Sequence, residues 1–191
     1  MLKHNAYLEF LTIPKYYAEF TSLQLFLGGH FILSESAIQI QGSETEVTKI
    51  TITGCEFKNS RGIDIGQATA VAVIEGNTFI NCGNQTEDAA KNHHSAIKIT
   101  RGNTFTISNN TIRDCKGTAI YVRGNGSSDP FKGTLTITNN TISNCTYAFC
   151  DLENGEHSLY TLNTSGNTIT NTETTKCSRD GVVMDITAYL K

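Results

Sequence analysis

Short segments in which apolar and polar residues alternate recur along most of the 191-residue chain. In the commonest segment, apolar residues at every second position lead to an asparagine, another apolar residue and then cysteine or threonine. It reads VIEGNTFINC, TISNNTIRDC, TLTITNNTISNC and NTSGNTITNT from Val73, Thr106, Thr134 and Asn163, and TITGCEFKNS from Thr51 has Cys55 at the asparagine position. Such alternation predicts half-buried β-strands, and the repetition predicts stacked structural units.

A second short strand, usually with a small residue in front, follows these segments after a connection of variable length. Its copies are AIQI, GIDI, AIKI, AIYV, FCDL and GVVM, at residues 37–40, 62–65, 96–99, 119–122, 149–152 and 181–184. The shortest step, from Ile97 to Ile120, is 23 residues, which is too few for a strand, a crossover helix and another strand. The pattern therefore predicts an all-β solenoid whose coils each contain several short strands.

Equivalent residues of neighbouring coils should stack in columns with a spacing of about 4.8 Å. A ladder of side-chain amides, bonded to one another and to turn backbone, should contain Asn77, Asn110, Asn140 and Asn167. An inward apolar stack should contain Phe57, Phe79, Ile112, Ile142 and Ile169. We interpret the third column, Cys82, Cys115 and Cys145, as buried thiols rather than disulfides, since free cysteine behaves as a small apolar residue. Cys150 and Cys177 fit either state.

The repeated NNTI, C and AI-x-V elements resemble the right-handed parallel β-helix proteins of the pectin lyase-like superfamily, over about residues 31–184. The resemblance implies one single-stranded, right-handed parallel β-helix of about six coils at residues 31–191. Residues 1–30 do not follow the repeat and are interpreted as an irregular N-terminal cap or a degenerate first coil. A secreted or cell-surface location and a polysaccharide partner are also implied by the resemblance.

Composition and charge argue against several other classes of protein. A net charge of -3 and a pI near 5.9 give no basic surface for nucleic acid. No apolar run reaches the roughly 18 residues that a membrane helix needs, so membrane insertion is not expected. Open strand edges at the ends of a solenoid predict end-to-end or homo-oligomeric contacts.

Candidate site residues lie in the second set of strands, where charged and aromatic residues alternate with the inward apolar ones. The first outward column should contain Gln39, Asp64, Lys98, Tyr121, Asp151 and Val183. The second should contain Gln41, Gly66, Thr100, Arg123, Glu153 and Asp185. Long connections at 83–95 and 124–133 flank this face and predict a groove for polysaccharide.

Three chemical hypotheses apply to this groove. In a calcium-assisted lyase, Asp151, Glu153 and Asp185 would bind the cation and Lys98 or Arg123 would be the base. His94 is a further proton-transfer candidate, and Asp64, Tyr121 and His93 are predicted to bind substrate. An inverting hydrolase is disfavoured because Gly-Asp-Asp and Asn-Thr-Asp motifs are missing and RDG at 179–181 is only a fragment of such a motif. A solvated face of mixed charges, without any site, is the alternative.

The sequence thus predicts a module that engages acidic polysaccharide, either lyase-like or catalytically degenerate. Whether it is an enzyme stays open, and calcium is the candidate cofactor. The alternative is a non-catalytic structural or adhesive repeat segment of a larger surface protein.

Overall fold

The described part of the molecule consists of strands and turns. The computed structural model describes residues 22–26, 30–32, 38–42, 48–67, 69–83, 95–122, 131–151, 160–179 and 182–185. Within these residues every named element is a β-strand. The all-β prediction is therefore confirmed.

Three parallel sheets run along the solenoid, and each of the first five coils contributes one strand to each sheet. Sheet A contains β1 (Ser22–Phe26), β4 (Thr48–Thr53), β7 (Ala70–Glu75), β10 (Thr104–Ser108), β13 (Thr134–Thr138) and β16 (Thr161–Ser165). Sheet B contains β2 (His30–Ile32), β5 (Glu56–Lys58), β8 (Thr78–Ile80), β11 (Thr111–Arg113), β14 (Thr141–Ser143) and β17 (Thr168–Thr170). Sheet C contains β3 (Ile38–Gly42), β6 (Ile63–Gln67), β9 (Ser95–Arg101), β12 (Thr118–Val122) and β15 (Tyr147–Asp151). Six strands in two sheets and five in the third fit about six coils.

The predicted division between a cap at 1–30 and the solenoid lies partly outside the described residues. Inside them, β1 and β2 already pair in parallel with β4 and β5. Coil structure is therefore present before residue 31. The assignment of residues 1–21 stays a prediction.

The predicted asparagine ladder is present, and it lies at the corner between sheets A and B. Each rung repeats one set of bonds: the Asn110 Oδ1 accepts hydrogen bonds from the backbone N–H of Asn77 at 2.9 Å and from its Nδ2 at 3.0 Å. The Nδ2 of Asn110 donates to the Ile74 carbonyl at 2.9 Å and to Asn140 Oδ1 at 3.0 Å. At the start of the ladder, the backbone N–H of Cys55 donates to Asn77 Oδ1 at 2.9 Å. The ladder thus satisfies buried backbone groups that the turn leaves without strand partners.

Left-handed turn residues bracket the five strands of sheet B from β5 to β17, a feature that the sequence reading missed. The residue before the ladder position has φ between 56° and 66° in Gly54, Gly76, Asn109, Asn139 and Gly166. The residue after the sheet B strand has φ between 49° and 63° in Asn59, Asn81, Asp114, Asn144 and Asn171. Asparagine and aspartate tolerate this conformation better than other side chains. In each Asn-Asn pair the first asparagine therefore makes the turn and only the second joins the ladder.

The interior columns are those predicted. Sheet B registers Phe57 with Phe79, Ile112, Ile142 and Ile169 in successive coils. Phe57 and Phe79 stack with ring centroids 4.7 Å apart. The three column cysteines are buried free thiols, and so are Cys55 and Cys150, while the side chain of Cys177 lies outside the description.

Two predictions about sheet C are wrong. Ile120 pairs with Phe149 and Val122 with Asp151, whereas the sequence reading aligned Ala119 with Phe149. Phe149 is 7% exposed and occupies the inward position, and a slip of one residue exchanges the two faces of a strand. The last expected copy, at 181–184, also fails, because β19 (Val182–Asp185) pairs antiparallel with β18 (Lys176–Arg179). The parallel bridge to β15 is instead made by Glu173, which pairs with Tyr147.

Candidate functional site

The outward column of sheet C contains an ion pair between neighbouring coils. Asp64 of β6 registers with Lys98 of β9, and the Lys98 Nζ donates to Asp64 Oδ2 at 2.7 Å. The side chains are only 14% and 20% exposed, respectively. The pair is therefore partly shielded from water, and the Lys98 ammonium is already bound to a carboxylate.

A bulge in β9 adds a third group to this pair. Ile65 registers with Ile99, but Gly66 registers with Arg101, so Thr100 is an extra residue in β9. Its hydroxyl donates to the free side of the carboxylate, Asp64 Oδ1, at 3.2 Å. Bulges of this kind redirect a side chain and often accompany functional sites. Here the bulge completes a small network on the outer side of sheet C.

Further along the same column, the outward side chains are buried. Tyr121 registers with Lys98 as predicted, yet it is only 1% exposed, and Cys150 in the next coil is fully buried. Ala119 and Ala148, which register with each other, are also buried. The expectation that Tyr121 lines an open groove therefore does not hold, although its place in the column does.

The acidic residues proposed for calcium do not share an outward column. Asp151 registers with Val122 of an inward column rather than with Tyr121, and Asp185 pairs with Lys176 in the antiparallel β18–β19 sheet. The backbone positions of Asp151 and Asp185 thus differ from the shared outward column on which the calcium hypothesis was based. Glu153, Arg123, His93 and His94 lie outside the described residues, so the roles predicted for them stay predictions.

Comparison with known families identifies this architecture. The family model described as right handed beta helix region matches residues 30–188, which is most of the chain. The chain belongs to the right-handed β-helix family. Comparisons with curated proteins and with solved structures give no significant match.

The β-helix contains a second polar feature at the entrance to sheet C that the sequence reading missed. The Arg61 Nε and the Ser95 Oγ are both buried and have no hydrogen-bond partner. Ile63 pairs with Ile97, so Arg61 and Ser95 lie two residues before paired positions on neighbouring coils. Buried polar groups are normally hydrogen-bonded, so these two atoms are exceptions to the usual packing at the entrance to sheet C. No feature of the sequence signals that these two atoms are unpaired.

Metal-binding groups and membrane-spanning helices were sought in the described part of the β-helix alone. No group of three or more His, Cys, Asp or Glu side chains in those residues is placed to hold a metal ion. The same residues include no helix long and apolar enough to cross a membrane.

Proposed function

We propose that this β-helix binds acidic polysaccharide along sheet C, at the end where β6 and β9 begin, without cleaving it. The observation that carries the proposal is the partly exposed Asp64–Lys98–Thr100 network on β6 and β9. The half-buried Arg61 lies on the same two coils, two residues before Ile63 of β6.

The chemistry of these groups suits a uronic acid unit. A guanidinium binds a carboxylate through parallel N–H bonds, and the partly exposed Thr100 hydroxyl can accept from a sugar hydroxyl. Asp64 and Lys98, held in place by each other, offer further acceptors and donors to sugar hydroxyls. Repeating sugars of a polymer could then contact successive coils, which repeat at about 4.8 Å.

Binding is favoured over cleavage because the described residues do not bring together an acid, a base and a cation site. Lys98, the base of the lyase hypothesis, donates to Asp64 at 2.7 Å, so its amine group is already engaged in an ion pair. Tyr121, at 1% exposure, is not open to a sugar. A catalytically degenerate relative of the polysaccharide-acting enzymes fits these observations better than an active lyase.

The test is a binding titration with uronic-acid oligomers, run beside an activity assay with and without calcium. We expect measurable binding, and no rise in ultraviolet absorbance from unsaturated product. Arg61→Gln should weaken binding at least tenfold. Lys49→Gln removes an exposed charge from the outer side of sheet A and should leave binding unchanged.

Equal weakening by both substitutions would indicate general charge attraction and would contradict a site at Arg61. No binding of any uronic-acid oligomer by the wild-type protein would overturn the proposed function. Formation of unsaturated product would replace it with the lyase hypothesis, and loss of that activity on chelation would support calcium.

The second candidate function is that of a structural or adhesive segment. The exposed apolar residue of the last coil favours it. Ile169 is 38% exposed, although its column mates Ile112 and Ile142 are buried. In the described residues β16 pairs only with β13 and β17 only with β14. If a second copy covers this end, sedimentation velocity should show oligomers that Ile169→Lys disperses. A concentration-independent monomer would remove this candidate.

A further inference from the structure

The asparagine ladder passes the same two hydrogen bonds from each rung to the next. The backbone N–H and the Nδ2 of one asparagine both donate to the Oδ1 of the asparagine in the following coil. The N–H bond is 2.9 Å from Asn77 to Asn110, 3.0 Å from Asn110 to Asn140 and 2.9 Å from Asn140 to Asn167. The Nδ2 bond is 3.0 Å at all three steps. Each asparagine therefore needs an oxygen from the coil that follows it.

Asn167 is the last rung, and it has the two donors without the oxygen. Its Oδ1 accepts both bonds from Asn140, and its Nδ2 donates to the Ile137 carbonyl at 2.9 Å. Among the described residues, none supplies an acceptor for its backbone N–H or for the second hydrogen of its Nδ2. None of them donates to its backbone carbonyl either, whereas the Asn140 carbonyl accepts from Thr168 N at 2.8 Å. The end of the ladder thus fits a further asparagine oxygen followed by a backbone N–H.

The strand edges and the interior of the last coil are also open. In the part of the chain that the structure describes, β16 and β17 each have a partner strand on one side only. The other side keeps backbone groups that a further strand can bind. Ile169 is 38% exposed, and it lines an apolar cavity at this end together with Ile137, Ile142 and Phe149. Thr164 registers with Ile137 and replaces it at the inward position, so the last coil tolerates water when nothing covers it.

The missing oxygen does not come from a second copy of this chain. In the first coil, the sequence has Gly29 directly before His30, as Cys55 comes directly before Glu56 in the coil that pairs with it. Glycine has no side-chain oxygen, so a copy stacked head to tail would leave the Asn167 donors unpaired. Two copies meeting through their last coils would place donors against donors. The chemistry of this end therefore fits a coil of a different sequence.

We propose that the last coil, β16 and β17, is a docking site for one coil of another β-helical polypeptide. The docking segment is extended and carries an asparagine and, two residues later, an apolar side chain. The asparagine Oδ1 accepts from the N–H and Nδ2 of Asn167, the next N–H donates to the Asn167 carbonyl, and the apolar side chain stacks on Ile169. Main-chain bonds give affinity to such strand addition, and the side-chain contacts give specificity. The site is independent of the sugar-binding proposal and differs from self-association in its occupant.

A labelled peptide with the sequence of residues 134–144, TLTITNNTISN, tests the site. It contains the ladder residue Asn140 and the apolar Ile142, and it lacks cysteine. Fluorescence anisotropy with the folded protein should show saturable binding. In the peptide, Asn140→Ala removes the ladder oxygen, leaves donors unpaired and should weaken binding about tenfold or more. Asn139→Gly is the matched control, because the last coil itself has Gly166 at this position, and it should bind as the parent peptide does.

Variants of the protein test the same contact from the other side. Ile169→Lys places a charge where the apolar side chain should stack, and it should weaken peptide binding about tenfold or more. Lys49→Gln lies on the outer side of sheet A, away from the last coil, and should leave binding unchanged. Hydrogen exchange should slow in residues 161–170 when the peptide is bound and stay the same in residues 48–53.

Several results would overturn the proposal. These are the absence of saturable binding, equal affinities of the parent and Asn140→Ala peptides, or slowed exchange only in other strands. Sedimentation of the protein alone separates the occupants, since a monomer that binds the peptide supports docking of a foreign coil. An oligomer that Ile169→Lys disperses and that does not bind the peptide would assign this end to a second copy instead. Uronic-acid oligomers should not compete with the peptide, so this proposal and the sugar-binding proposal fail separately.

Discussion

The corner between sheets A and B and the flanks of sheet C follow opposite rules. From β4 onward, every connection from sheet A to sheet B has two residues, whereas the connections on either side of sheet C range from two to fourteen. At the first corner one ladder of asparagines repeats the same bonds in each coil. Across sheet C the outward column changes from aspartate to lysine, tyrosine and cysteine.

The difference separates residues that build the coil from residues free to acquire a function. A buried amide ladder must repeat, because each rung supplies the partner that the neighbouring rung needs. A connection outside the ladder can lengthen with only a small entropic cost. Repetition at the corner therefore indicates architecture, and variation at sheet C indicates where a ligand could bind.

The largest effect should come from breaking the ladder in its middle. Asn110→Ala leaves the buried Asn77 N–H and the Ile74 carbonyl without their side-chain partner. At about 1 to 3 kcal/mol for each unsatisfied buried group, we expect a loss of about 3 kcal/mol in the free energy of unfolding. Urea denaturation followed by circular dichroism measures it.

The neighbouring Asn109 provides the matched control. It is exposed and holds a φ of 56°, which glycine adopts without strain. Asn109→Gly removes only the exposed bond from its Nδ2 to Glu75 and should cost less than about 1 kcal/mol. If both substitutions lowered the free energy of unfolding equally, the buried ladder bonds would contribute no more to stability than the exposed bond.

The second-largest loss of stability should come from a substitution in the connection before sheet C, at a residue that lies against the next coil. Gly62 has a φ of +72°, and a Cβ there would lie 2.0 Å from the Ala96 carbonyl oxygen of the next coil. Gly62→Ala should therefore cost about 2 kcal/mol or more, from the turn and the clash together.

Gly76, at the asparagine corner, is the comparison for this substitution. Its φ is +63°, but nothing lies within 4 Å of an added Cβ. Gly76→Ala should cost about 1 kcal/mol, from the left-handed conformation alone. Thermal unfolding of the two variants compares them, and a smaller loss at Gly62 would contradict the close approach of the coils.

Much of the fold was predictable because columns of like residues repeat, as the four ladder asparagines do. The register of β15 was mispredicted because Phe149 was aligned with the small-residue position, which Ala148 occupies in the structure, and only packing places Phe149 inside. The burial of Tyr121 was not predictable, since alternation assigns a side chain to a face without saying whether that face is covered. Arg61 and Ser95 were missed because unsatisfied atoms are a property of packing and leave no pattern in the sequence.

A smaller effect should come from the ion pair on sheet C. Asp64→Asn and Lys98→Met each break a bond between partly buried charges, and the coupling energy from the double-mutant cycle should be about 0.5 to 1 kcal/mol. Added salt should reduce it. A coupling of several kcal/mol would show that this network is structural, like the ladder, and would weaken the case for a binding face.

The smallest effect should be a pH dependence at the outer edge of the asparagine turns. Hydrogen bonds from Asn144 and from Arg113 lower the pKa of Asp114 below its usual value. A lowered folded pKa means that the stabilisation is present above the unfolded value of about 3.9 and is lost as the pH falls through the folded pKa. Asp114→Asn keeps a residue suited to the left-handed turn, as in the other coils, and removes the titration. The urea midpoint of the wild type should therefore fall slightly more than that of the variant between pH 6 and pH 3, and parallel curves would show that Asp114 is not held by these bonds.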